Sequence, residues 1–300
     1  MTPESLYPRI EDLAEKIRLH RAHSESEEDE RKSGLMETAV NAIHKMVESY
    51  SPLFGTEPWH SLNLEKHPDS PTEFLLRLPD GKGEYLPPYD IIMAFYDCGL
   101  TEAIDTLLVL CALRQFRQSA ERQVSINISA RSLLFPDFIK TVLGELEKLR
   151  IDNQIREGII IEIHESAPTL VMSKHILSLF HRFGARFAID DVALSLGDAF
   201  RFSEFDEIAS FIKIDRKVVC APPESPNSLP VAMSFIRSVL PETCIVAEGV
   251  LSVQQAKELH ELYPDIDYVQ GLHLPDRVTF RKLWNERSSS SQLPLKRAES

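Results

Sequence analysis

The chain alternates between two hydrophobic periods. Short apolar, β-branched runs recur at 73–77, 124–129, 159–163, 187–191, 211–215, 245–249 and 268–271. Between them lie longer stretches with apolar residues at helical spacing, at 103–118, 133–149, 169–183 and 253–262. Strand–helix alternation predicts a parallel sheet with helical crossovers. Seven strands are visible, and the segment around Leu62–Leu64 supplies an expected eighth. Seven or eight such units over roughly 230 residues predict an α/β fold, a (β/α)8 TIM-like barrel. A doubly wound sheet is the alternative. It usually carries a Gly-rich phosphate turn after its first strand, and this sequence has none there.

The ends differ from the middle. Residues 1–50 read as a helical, charged N-terminal extension, with Leu6, Ile10, Leu13 and Ile17 on one apolar stripe. The acidic run at 24–30 is expected to be a solvated hinge. A second amphipathic segment is predicted over 36–50, with Val40, Ile43 and Met46 or Val47 on one face. The stripe predicts a helical cap packed on the main domain, with a dimerisation or partner-binding arm as the alternative. The barrel domain is expected over 51–287, and the polar stretch 288–300 reads as a disordered tail.

Composition narrows the function classes. The hydrophobic fraction is 43% and the charged fraction 26%, as in ordinary globular proteins. No apolar run nears the ~18 residues of a membrane span, so no membrane is expected as a partner. Glu4, Glu11, Asp12 and Glu15 argue against a secretory leader. The balance of 33 basic against 46 acidic residues gives −13, which argues against DNA as a partner. The four cysteines have no CxxC spacing and read as single core thiols in a reducing compartment, neither a zinc site nor a disulfide framework. A cytoplasmic location is expected.

Nearly every predicted strand carries a polar residue in or just after its apolar run. These are Glu73, Asn127, Glu162, Asp190 with Asp191, Lys213 with Asp215, Glu248 and Gln270. A strand buried on both faces has little reason to carry an acid. Asp191 and Asp215 each precede a helix or turn and are open to a capping role. Recurrence in strand after strand is better explained by strand ends converging on one barrel mouth. Such a ring of carboxylates repels itself unless cations neutralise it. All-oxygen donors favour Mg²⁺ or Mn²⁺ over Zn²⁺. Two such ions suit phosphodiester hydrolysis. Lys213 is placed either to position or deprotonate the attacking water or to balance the acids. His164, His181 and His260 are scattered and read as surface or structural groups.

The ordered segments resemble the EAL domain, a barrel phosphodiesterase that opens cyclic di-GMP to linear pGpG. The family signature Glu-Ala-Leu-Leu-Arg resembles Glu73-Phe74-Leu75-Leu76-Arg77. Pro88 to Gly99-Leu100 keeps the family's spacing, and Asn-Leu-Ser resembles Asn127-Ile128-Ser129. Glu-Ile-Thr-Glu-Ser resembles Glu162-Ile163-His164-Glu165-Ser166, and the Asp-Asp pair resembles Asp190-Asp191. Lys213-Ile214-Asp215-Arg216, Val246-Ala247-Glu248-Gly249-Val250 and Gln270-Gly271 match outright. The resemblance implies that Glu73, Asn127, Glu162 and Asp190 hold a first metal. It implies that Asp191, Asp215 and Glu248 complete the metal and water site. It places Lys213 beside the water, gives Gln270 an orienting role, assigns Arg77 to a substrate phosphate or guanine, and makes Glu165 a loop anchor.

Three departures from the family stand out. Its Phe-Gly-Thr-Gly-Tyr-Ser-Ser loop is replaced by Val192-Ala193-Leu194-Ser195-Leu196-Gly197-Asp198. Its Glu after Glu-Gly-Val is Leu251, and its Tyr-Gln-Pro-Ile strand is not recognisable. The reading is therefore a metal-dependent cyclic di-GMP phosphodiesterase, with a homodimer as one assembly. The alternative is a degenerate member that acts as a cyclic di-GMP receptor or binds a protein partner through its N-terminal helices.

Overall fold

The computed structural model describes residues 3–24, 26–67, 70–151, 158–163, 174–205 and 208–286. Two helices open the chain, α1 (Tyr7–Ala22) and α2 (Glu27–Glu48). The strands β1 (Phe54–Pro58), β2 (His60–Ser61) and β3 (Thr72–Leu76) follow. Helices α3 (Pro88–Asp97) and α4 (Thr101–Gln118) lead to β4 (Val124–Ile128). Next come α5 (Pro136–Ile151), β5 (Ile159–Ile163), α6 (Lys174–Arg182) and β6 (Ala185–Val192). The last units are α7 (Leu196–Phe205), β7 (Ala209–Ile214), α8 (Arg216–Val219) and α9 (Leu229–Val239), then β8 (Cys244–Ala247), α10 (Val253–Leu262), β9 (Tyr268–Val269) and α11 (Arg277–Asn285).

Among the described residues one sheet holds nine strands in the order β1-β3-β4-β5-β6-β7-β8-β9-β2. From β3 to β9 every pairing is parallel. The remaining stave is not at Leu62–Leu64, and it is not parallel. Only Trp59 separates β1 from β2; β1 pairs antiparallel with β3, and β2 pairs antiparallel with β9. One broken strand thus spans the gap between the first and last parallel strands. Leu62 lies just past it and donates its backbone N–H to Asp267 O at 2.9 Å. Pro58, which has no N–H, and the Trp59 N–H, which turns to Pro71 O at 2.9 Å, mark the break.

Alternation along each strand sorts the two faces. Phe74, Ile126, Ile161, Phe187, Ile212 and Ile245 face the helical layer and join the main apolar core. Residues of the opposite parity fill the barrel. Trp59, Ile160, Ala188, Phe211, Val246 and Tyr268 form a separate buried cluster inside it. The Trp59 and Phe211 rings meet edge to face at 5.3 Å, and Trp59 and Tyr268 at 6.0 Å. This aromatic plug closes the barrel below the polar strand ends.

The N-terminal stripe is spent within the chain. Leu6, Ile10, Leu13 and Ile17 are buried with Met36, Val40, Ile43 and Val47 in the same core as the barrel's outer face. Arg9 reaches Thr141 Oγ1 on α5 at 3.0 Å, and Lys32 pairs with Asp97 on α3 at 2.8 Å. Each fully buried aliphatic side chain here stabilises by about 1.5–3 kcal/mol. The acidic run is a connection only at its start, and from Glu27 it is helical. Ser26 caps α2, its hydroxyl accepting from the Asp29 N–H at 3.1 Å, and Glu27 to Glu30 form the first turn. Acids there complement the positive end of the helix, so α2 begins well before the expected position 36. Among the described residues no helix is long and apolar enough to cross a membrane.

Candidate functional site

At the C-terminal strand ends, inward positions become polar. Asn127 and Glu162 are the penultimate residues of β4 and β5 and sit opposite each other in register. Lys213 is the penultimate residue of β7, while Glu248 and Gln270 directly follow β8 and β9. Glu73 lies earlier on β3 and its side chain reaches the same point.

Lys213 sits at the centre. Its Nζ is 2.6 Å from Glu162 Oε2, 2.8 Å from Glu248 Oε1, and 3.1 Å from both Glu73 Oε2 and Asp190 Oδ1. Four acids, three on strands β3, β5 and β6 and one just past β8, therefore share one ammonium. Asn127 donates its amide to Glu73 Oε1 at 2.7 Å, and Gln270 donates to Glu73 Oε2 at 2.6 Å. Below the ammonium lies the Trp59 ring, 5.7 Å from Nζ to centroid. An aromatic face supports the cation and keeps water out from beneath.

Asp190 and Asp191 owe their placement to a bulge. In the β6–β7 register Ile189 pairs with Ile212, and Val192 pairs with Ile214. Two residues of β6 therefore stand opposite Lys213 alone. Asp191 takes a left-handed conformation, φ 52°, which Asp tolerates better than most residues. Strict alternation would send Asp191 outward. The bulge instead brings carboxylate oxygens of Asp190, Asp191 and Glu248 within 4.8 Å of one another.

Two glycines let the backbone close around these acids. Gly249 has φ +68°, and a Cβ there would lie 2.3 Å from Arg216 Cγ. A Cβ at Gly271 would lie 1.9 Å from Val250 O, while the Val250 N–H donates to Gln270 O at 3.0 Å. Neither Glu248 nor Gln270 could hold its position with a side chain on the next residue.

The electrostatics follow from burial. Burial pushes the Glu162 carboxyl well up, and the Glu73 charge adds to this. Burial also raises Asp190, against the pull of Lys213, and raises Glu248 to about 8. For Glu73 the burial cost is outweighed by Lys213, Gln270 and Asn127, which hold it below its ordinary value. Burial disfavours the Lys213 charge, but Asp190, Glu162, Glu248 and Glu73 together hold its pKa well above the ordinary range.

The donors fit a hard divalent cation. Asn127 Oδ1, Glu162 Oε1 and Gln270 Oε1 are buried without a hydrogen-bond partner. Unpaired buried oxygens in an all-oxygen cluster are what Mg²⁺ or Mn²⁺ ligation requires.

Other expected residues fall elsewhere. Asp215 caps α8, accepting the Lys217 N–H at 2.5 Å, so the capping role is the one it fills here. Arg77 follows β3 at the mouth and donates to Leu76 O at 3.0 Å, its stem crossing Gly55. Glu165 and His164 lie outside the described residues. His181 falls on α6, and His260 lies on α10 against the Trp284 ring at 5.5 Å.

Three features escaped the sequence reading. Glu57 on β1 stands opposite Glu73, and burial together with the Glu73 charge raises its pKa. Asp198, fully buried, accepts from Ala193 N at 3.2 Å, Ser195 N at 2.7 Å and the Arg201 guanidinium. Arg201 in turn donates to Asp190 O at 2.7 Å, tying the loop to the site. An acid and an arginine three apart on a helical pattern are a legible signal for such a pair.

Comparison with known proteins agrees with this geometry. The EAL domain model matches residues 70–275. The cyclic di-GMP phosphodiesterase PdeA of Borreliella burgdorferi is 28% identical over 241 residues, covering 75% of this chain. The chain spans about a third of that relative, 34% of its length. The FimX EAL domain of Pseudomonas aeruginosa, solved bound to c-di-GMP, superposes with a TM-score of 0.62 at 20% identity, over 78% of this chain and 94% of that one. An EAL domain protein of Listeria monocytogenes superposes at 0.59 with 17% identity, over 78% and 91%. With the family model spanning most of the barrel and the carboxylates gathered at its mouth, the chain belongs to the EAL domain family.

Proposed function

We propose that the chain hydrolyses cyclic di-GMP to linear pGpG with the help of Mg²⁺ or Mn²⁺. The observation that carries this reading is the Lys213 cluster: three buried acids and a fourth, partly buried one around one ammonium, with three neighbouring oxygens unpartnered. A pure binding module has no need of that arrangement. The cyclic di-GMP phosphodiesterase activity of the Borreliella relative and the c-di-GMP in the FimX structure support the same substrate.

In this reading Glu73, Asn127, Glu162 and Asp190 hold a first cation, and Asp191 with Glu248 a second, with Asp215 at its edge. Such cations, when bound, supply Lewis-acid polarisation of the scissile phosphoryl group. The Asn127 and Gln270 amides fix both oxygens of Glu73. Lys213 is held protonated by its four neighbours and is therefore a poor base. Its role is to position the attacking water and to steady charge on the phosphoryl oxygens. Glu248, raised to about 8 by burial in the metal-free site, gives up its proton as the cation binds and completes the metal and water site. Arg77 at the rim meets the second phosphate or a guanine.

A second reading, binding of cyclic di-GMP without turnover, is favoured by two observations. The loop after β6 is pinned by its own Asp198–Arg201 pair, and Leu251, where the family has an acid, is exposed. Purified protein incubated with cyclic di-GMP and Mn²⁺ or Mg²⁺, followed for linear pGpG, separates the two. Metal-dependent pGpG formation supports the enzyme. Saturable binding with no product at any metal concentration supports the receptor, and neither result sinks both.

A further inference from the structure

His67, Cys244 and Asp267 meet at the end of the barrel opposite the carboxylate cluster. Cys244 opens β8, Asp267 precedes β9, and His67 lies in the connection from β2 to β3. Each offers one ligand atom, and these atoms lie within 4.8 Å of one another. His67 Nε2 is 2.9 Å from Asp267 Oδ1, while Asp267 Oδ2 accepts the Ile245 N–H at 2.9 Å. Asn63 shapes the loop: its carbonyl accepts from the His67 N–H at 2.8 Å and its side chain from the Lys66 N–H at 3.0 Å. The imidazole leans on Tyr268, ring centroids 5.1 Å apart.

We propose that His67, Cys244 and Asp267 form a binding site for a borderline-soft divalent cation of the zinc class, distinct from the oxygen-lined mouth. One imidazole, one thiolate and one carboxylate make a zinc donor set, not a magnesium one. Metal–ligand bonds of about 2.0–2.3 Å place tetrahedral donors some 3.3–3.8 Å apart, so the observed cluster needs only small side-chain shifts. The Ile245 N–H orients the carboxylate from behind, as outer partners of metal ligands do. Asp267 is buried, but His67 and Cys244 are partly exposed, which leaves an entry path and an open fourth position.

Three cations oppose the ion: Lys66 and Arg237 beside Asp267, and Arg186, whose charge acts on Cys244. Lys66 Nζ lies 2.8 Å from the same Asp267 oxygen, but its side chain is 61% exposed and can swing into water. Arg237 stays, 3.8 Å from Oδ2, because it is tied to the carbonyls of Pro241, Thr243 and Asp265. The site is therefore weaker than a closed structural zinc centre. Burial pushes the Cys244 thiol up to about 11, with the Asp267 charge adding to this, so binding releases a proton and strengthens as pH rises.

Cobalt(II) titrated into the full chain tests this, because only a thiolate ligand gives sulfur-to-cobalt charge-transfer absorption. The mouth, all oxygen, cannot. The expected result is a band saturating at about one cobalt per chain, bleached by zinc and lost in Cys244→Ser. His67→Ala, on a surface loop, should weaken it by roughly tenfold or more. Lys66→Ala should tighten cobalt binding several-fold, since it removes the competing ammonium. A purely structural ion pair predicts no such gain. No band in the wild-type chain at millimolar cobalt, or a band unchanged in both Cys244→Ser and His67→Ala, overturns the proposal.

Discussion

Lys213 Nζ and Glu162 Oε2 are 2.6 Å apart, and the two side chains are 1% and 0% exposed. A buried pair of this kind gains little over an apolar pair, because desolvation offsets much of the attraction. Breaking it from one side is another matter. Lys213→Ala leaves four acids facing one another, and should cost about 3–5 kcal/mol in metal-free protein. Excess Mn²⁺ should recover much of that stability, since cations take over the neutralising role. In the enzyme reading, turnover should fall by ~10²–10⁴-fold while cyclic di-GMP binding changes far less. Equal losses of binding and turnover would reduce Lys213 to a phosphate contact.

The raised acids set a pH dependence with a definite sign. Glu162, Asp190 and Glu248 all hold protons more tightly folded than unfolded, Glu248 up to about 8 against an ordinary 4.5. Between those values the folded chain binds more protons, so metal-free stability falls as pH rises. Glu73, held low, and Lys213, held high, keep their charges across this window and add no slope. Cations compete with the same protons. Scanning calorimetry should therefore show a lower metal-free Tm at pH 8 than at pH 6, and a larger Mn²⁺-induced rise at pH 8. A larger rise at pH 6 would rule out these acids as the ligands.

How much of this was legible in the sequence depends on how locally each feature is encoded. The seven parallel strands announce themselves because each is buried on both faces and reads as an apolar run. The polar residues at their ends stand out against those runs. Asp191 stands out as well, but its inward placement does not follow from the pattern, because a bulge breaks the two-residue period. The antiparallel stave is hidden by Gly55 and Pro58, which interrupt any strand pattern around Glu57 and Trp59. The His67, Cys244 and Asp267 cluster draws on three distant segments, and spacing rules for zinc see only neighbours.

The N-terminal helices give a stability prediction. Leu13 and Ile17 are almost wholly buried against α2 and the helical layer. Leu13→Ala should cost about 2–5 kcal/mol by the transfer and cavity effects together. Urea unfolding should show one cooperative transition that shifts as a whole, because these residues share a core with the barrel's outer face. A separate early transition for the helices, leaving the barrel midpoint unmoved, would mean the two fold independently.

The loop after β6 offers a way to separate backbone from ligand. Its positive-φ residues are Asp191 at 52° and Leu194 at 60°, not Ala193 or Ser195, which stand where the family has glycines. The turn is thus made without those glycines, and Asp198 satisfies the N–H groups of Ala193 and Ser195 that it exposes. Asp191→Asn keeps a residue suited to the left-handed region but removes the charge. Asp191→Val removes the charge and also forces a β-branched residue into strain costing about 1–3 kcal/mol. Both variants should loosen the second cation equally, raising the Mn²⁺ concentration needed for half-maximal pGpG formation. Only the valine variant should lower Tm. Asp198→Ala should do both by a third route, since it strands the buried Arg201 guanidinium that holds the Asp190 carbonyl. If Asp198→Ala lowers Tm but leaves metal dependence untouched, the loop's anchor and the acidic site are uncoupled, and the loop's altered sequence has no bearing on turnover.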